Sequence, residues 1–131
     1  MTEPRKWLDF AQDDLIAAET MLEKELYNLA CFHSQQGIEK GLKGFLRSRG
    51  QDFRKTHALV ELAEMCRILD ESFSALDKTC RKLDSYYIPT RYPDALPGAG
   101  AEGLPELEEA KEAVELLRNG LRWIREKMKL G

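Results

Sequence analysis

Gln36, Lys40, Lys43 and Arg47 recur at steps of four, three and four, the spacing that stacks side chains along one face of a helix. Gln35 and Glu39 flank this stripe. Aligned ammonium and guanidinium groups suit an anion, because charge-assisted hydrogen bonds are the strong ones. The basic character runs on. From Lys40 to Lys55 stand Lys40, Lys43, Arg47, Arg49, Arg54 and Lys55, against Asp52 alone. The stretch ends at Thr56 and His57, and an imidazole titrates close to neutrality. A second polar cluster is Thr90-Arg91-Tyr92-Pro93-Asp94. Arg91 offers a planar fork to a carboxylate or phosphate, and Tyr92 precedes a proline that biases it to extended backbone. Each feature has a plain structural alternative. A charge stripe is often a solvated face, a histidine beside a helix cap often only holds the turn, and a loop arginine often ties the loop to helix ends.

Other chemistries fail on spacing. The two histidines, His33 and His57, are not preceded by Glu at the interval a di-metal carboxylate bundle needs, and no zinc-ligand spacing occurs. Gly37, Gly41 and Gly44 follow a helical period rather than that of a phosphate loop. No cofactor is expected.

The elements that must position these residues read as helices. Leu8, Ala11, Leu15, Ala18 and Leu22 define one face of a first helix, about 4–24. A second, about 27–49, carries Ile38, Leu42, Phe45 and Leu46, with Gly50 as its stop. Its other stripe is small: Ala30, Ser34, Gly37, Gly41, Gly44 and Ser48. Interior glycines cost about 1 kcal/mol each relative to alanine, so tight packing of the first helix or a partner subunit is expected there. A third helix, about 58–69, is expected to be capped by Thr56, and a fourth, about 73–87, by Ser72. The fifth, about 105–129, has a seam of Leu107, Ala110, Val114, Leu117, Leu121, Ile124 and Met128. Residues 89–105 hold Pro89, Pro93, Pro97 and Pro105 and form a long loop. No period-two strand appears. The expected fold is all-α, an antiparallel up-and-down bundle of four to five helices in a single domain over residues 1–131.

Composition agrees. With 43% hydrophobic and 33% charged residues the chain can bury a core, and no apolar run is long enough to span a membrane. The polar start, Met1 to Lys6, is unlike a secretory leader. A net charge of −3 argues against a dedicated DNA binder. Cys31, Cys66 and Cys80 are odd in number and lack a CxxC pair, so free buried thiols and a cytoplasmic setting are expected.

Taken together, the residues resemble a known family. Cys31-Phe32-His33-Ser34-Gln35-Gln36-Gly37-Ile38-Glu39-Lys40-Gly41-Leu42-Lys43 is similar to the core motif of HEPN domains. Thr56-His57-Ala58-Leu59 and Thr90-Arg91-Tyr92-Pro93-Asp94 resemble its two following motifs, and Trp7, Ala11, Asp14 and Leu15 its opening helix. The resemblance covers nearly the whole chain. It implies a helical bundle, often a homodimer, that binds a nucleotide or serves as the substrate-binding subunit of a small nucleotidyltransferase in a toxin–antitoxin-like pair. The ligand-binding positions it implies are Gln36, Glu39, Lys40, Lys43, His57, Arg91 and Tyr92. The chain departs from the family's usual alanines at Gly37, Gly41 and Gly44. A second branch of the superfamily comprises metal-independent RNases marked by Arg, four to six residues, then His. The required positions hold Gly50, Gln51 and Asp52 before His57, and Leu26, Tyr27 and Asn28 before His33. The resemblance therefore favours a binding module over an RNase or a purely structural dimer, and RNA is not the favoured partner.

Overall fold

The computed structural model describes residues 2–53, 56, 58–86 and 104–129. All regular structure among them is helical: α1 (Thr2–Glu23), α2 (Tyr27–Ser48), α3 (Leu59–Leu69), a 3₁₀ segment (Glu71–Leu76), α4 (Asp77–Asp84) and α5 (Leu107–Met128). The expected helical bundle is thus the observed one, with five α-helices. α2 is its axis and packs against α1 most extensively, then α5, then α3 and α4.

The periodic apolar positions go inward. Leu8, Ala11 and Ala18 of α1, Ile38 and Leu42 of α2, and Leu117 and Ile124 of α5 are all fully buried. The seam of α5 is shorter than its heptad pattern implies. Leu107 is 43% exposed, and burial begins one turn later at Ala110. Three aromatic rings tie the halves together. Phe73 lies 4.3 Å from Phe45 of α2 and meets Trp123 of α5 edge-on at 4.9 Å.

The helix ends show which local signals held. α2 stops where Gly50 takes a left-handed φ of 69°. The Gly50 amide donates to the Arg47 carbonyl and the Gln51 amide to that of Leu46, the paired bonds of a Schellman stop. The same bonds close α1, with Leu26 donating to Met21, but here the left-handed residue is Glu25 (φ 62°). α3 is capped differently from expectation. Thr56 Oγ1 accepts from the Ala58 amide, ahead of the helix, whereas both carboxylate oxygens of Asp84, from α4, take the Leu59 and Val60 amides at 2.7 and 3.1 Å. The cap comes from across the fold. The expected fourth helix is split, and Asp70, not Ser72, caps its 3₁₀ start by accepting from the Ser72 amide.

The glycines of the small stripe divide between α5 and α1. A Cβ on Gly37 would come within 2.5 Å of Leu117 Cδ1, and one on Gly41 within 3.0 Å of Ile124 Cδ1. Gly44 faces α1, at Leu8 and Trp7. α5 reciprocates with Gly120, where a Cβ would meet Ile38 Cδ1 at 2.7 Å. Glycines in both helices bring the backbones together, so each receives the other's aliphatic knob.

Candidate functional site: a polar network between α1 and α2

The polar residues of α2 do not present bare cations to solvent. Asp14 of α1 lies one turn after Ala11 and is only 6% exposed. Its Oδ2 accepts from Lys40 Nζ at 2.6 Å, and its Oδ1 lies 3.0 Å from His33 Nδ1. His33 and Lys40 are seven residues apart, two turns of one helix face, and so straddle a single carboxylate. Nearby on the same helix, Glu39 Oε2 accepts from Lys43 Nζ at 2.9 Å. Both partners are buried, and the Glu-before-Lys order at this spacing is the favourable one. Gln36 Nε2 donates to Gln35 Oε1 at 2.7 Å and leans towards Glu39 Oε1 at 3.4 Å.

The stripe ends on aromatic faces. The Lys43 ammonium lies 5.7 Å from the Trp7 ring centre and 5.1 Å from that of Phe53. The Arg47 guanidinium lies 4.6 Å from Phe53 and pairs with Asp52 at 2.9 Å. Each cation of the stripe therefore already has a carboxylate. Asp14 and Glu39 cancel Lys40 and Lys43, so a phosphate arriving here would meet a neutral surface and would have to displace an internal anion.

Of the residues singled out from sequence, Lys40 joins Asp14 and His33, while Gln36, Glu39 and Lys43 form a second cluster beside it on α2. His57, Arg91 and Tyr92, with Arg54 and Lys55, lie outside the described residues. Two members of the network escape a stripe-based reading, Asp14 and His33. Their signals were present: an acid on the inward side of α1 between Ala11 and Ala18, and a histidine two turns before a lysine.

The thiols take no part in it. Cys31, Cys66 and Cys80 are free and buried. Burial, aided by the nearby Glu109, pushes the Cys31 thiol up to about 12. Burial beside Asp84 and Asp77 does the same to Cys80, also to about 12. Thiols held protonated are poor nucleophiles. Among the described residues no group of three or more His, Cys, Asp or Glu could hold a metal ion, and no helix is long and apolar enough to cross a membrane.

A five-helix bundle with an acid of its first helix clasped by two basic groups of its second defines the class, and comparison with known proteins gives the family. The family model for the HEPN domain matches residues 4–127. The chain belongs to the HEPN family. Two solved structures share the fold over almost their full lengths. TT1696 from Thermus thermophilus is 36% identical with a TM-score of 0.80, the match covering 97% of this chain and 99% of that one. ST0689, described as an archaeal HEPN homologue, is 30% identical with a TM-score of 0.78, covering 98% and 99%. No curated protein matches the chain.

Proposed function

We propose that this HEPN protein is a binding subunit that works with a small nucleotidyltransferase in a toxin–antitoxin-like pair, as a homodimer, with Gln36 and Lys40 in its recognition surface and the buried Glu39–Lys43 pair supporting them from beneath. His57, Arg91 and Tyr92 complete the set that the family resemblance implies. The observation that carries the protein-partner reading over direct nucleotide binding is the internal neutrality of the α1–α2 network. A surface offering paired donors and acceptors suits a partner's polar side chains better than a naked polyphosphate. Co-expression with a minimal nucleotidyltransferase encoded in the same genome, followed by size-exclusion chromatography, tests it. The two proteins are expected to co-elute, and Lys40→Glu is expected to separate them while the bundle keeps its helical spectrum. Separate elution of the unaltered proteins at concentrations on the order of 10 μM would sink the partner reading. Calorimetric titration with ATP tests the nucleotide version on the same sample.

One observation favours a second reading. A carboxylate holding one imidazole nitrogen is the arrangement that orients a histidine for proton transfer, and His33 keeps 29% of its side chain exposed. RNA cleavage by the purified protein that disappears in His33→Ala, and persists in His57→Ala, would move the function from binding to catalysis.

A further inference from the structure

The strongest unassigned feature lies on the other contact of α1, where it meets α5. A groove of about 220 Å³ is lined there by Gln12, Leu15, Arg118, Leu121, Arg122 and Arg125. The three arginines follow the i, i+4, i+7 spacing of one helix face, and like charges at such intervals oppose helix formation. Arg118 is compensated. It donates to Glu19 of α1 at 2.8 Å and to Glu115 at 2.6 Å, and the Glu19 hydrogen bond raises its pKa further. Lys127, further along α5, pairs with Asp70. Arg122 and Arg125 have no carboxylate partner among the described residues. At their level α1 presents Leu15 and the neutral Gln12 instead of a second glutamate. The helix dipole rewards cations only in the last turn, which reaches Arg125 but not Arg122.

From this we infer that the α1–α5 groove is a phosphoanion subsite: Arg122 and Arg125 clamp a phosphoryl group of a small ligand, Arg118 is the ion-paired end wall, and Leu15 and Leu121 form an apolar floor. Guanidinium groups match phosphate oxygens through planar, paired N–H donors. Gln12 adds a carboxamide that can donate to an oxygen at the rim. The volume is below the roughly 300–1,000 Å³ of a pocket that encloses a drug-sized molecule, so the groove holds the charged end of a ligand whose remainder lies outside. The site is separate from the α1–α2 network and does not rest on the partner reading.

Isothermal titration with inorganic pyrophosphate and with ATP at low ionic strength tests it, using the whole chain, the double variant Arg122→Ala/Arg125→Ala, and a control, Arg5→Ala/Arg81→Ala, that removes two exposed cations elsewhere. Both probes are expected to bind the unaltered protein with Kd of about 1 mM or tighter, and the groove variant is expected to weaken them at least about tenfold while the control does not. Equal affinity for the two probes assigns the groove to the phosphate alone. Tighter binding of ATP adds a contact for the nucleoside on the surface outside the groove. No binding of either probe at about 10 mM overturns the proposal, as does equal weakening by the groove variant and the control. Thermal melts of all three proteins establish that each is folded. Arg122 and Arg125 make no ion pair among the described residues, so their removal is not expected to lower Tm.

Discussion

Lys43 shows how much of this protein's charge is spent internally. Read along α2, it is one of four evenly spaced polar residues. In the fold its ammonium is clasped by Glu39 and roofed by the rings of Trp7 and Phe53. Removing one member of a buried ion pair strands the other, at a cost of about 3–5 kcal/mol, whereas replacing both by groups of similar shape is often near neutral. Lys43→Met is therefore expected to destabilise the protein by about 3 kcal/mol, and Glu39→Gln with Lys43→Met to recover most of that loss. Urea denaturation of the single and double variants measures it. A double variant no more stable than Lys43→Met alone would show that the lysine acts through packing on Trp7 rather than through its charge.

At the scale of elements, the glycines of α2 separate two kinds of close approach. At Gly41 an added methyl would meet only the flexible ends of Ile124 and Leu121, at 3.0 and 3.5 Å. At Gly44 it would press on Leu8 and on the Cβ of Trp7, an atom fixed to the α1 backbone. Alanine adds about 1 kcal/mol of helix propensity at either site, and overpacking a tight site removes about 1–3 kcal/mol. Gly41→Ala is expected to be neutral or to raise Tm. Gly44→Ala is expected to lower it, by an amount equivalent to about 1–2 kcal/mol. A higher Tm for Gly44→Ala than for Gly41→Ala would mean that α1 slides easily on α2, contrary to the close register of the two helices. The ends of the elements carry the same lesson. Gly50 stops α2 by a property of its own backbone, while α3 starts on a carboxylate borrowed from α4. Only the first kind of signal is local enough to be read from neighbouring letters.

For the molecule as a whole, the three buried thiols set an alkaline limit. Their ordinary value is 9.0, and burial raises all of them in the fold, Cys31 and Cys80 to about 12. Between pH 9 and 12 the unfolded chain has lost these protons and the folded chain keeps them. Unfolding then releases protons, and stability falls as pH rises. Below pH 9 both states are protonated and the full contribution is present. Each thiol is expected to cost about 1.4 kcal/mol per pH unit across that window. Urea melts at pH 8, 9 and 10 should show falling stability, with a shallower fall in Cys80→Ala, since lysines and tyrosines titrate alike in both proteins. Parallel slopes would refute the thiol account.

The bundle was legible in the chain because helix formation and core burial obey a period of about 3.6 residues, and that period is written in consecutive residues. Leu8, Ala11, Leu15 and Ala18 announce their face without reference to any other segment, as do Leu117, Leu121 and Ile124. So do the Gly50 stop and the motifs that resemble the HEPN family. What the chain could not disclose is pairing at a distance. The Gln36, Lys40, Lys43, Arg47 stripe looks cationic in sequence because Asp14, which neutralises Lys40, stands 26 residues away on another helix. Arg118, Arg122 and Arg125 look alike in sequence, and only the approach of α1, bringing Glu19 to the first and Gln12 into the groove beside the others, tells them apart. Charge depends on neighbours in space, so the tertiary structure alone decided which of the basic residues are already bound and which remain available to a ligand.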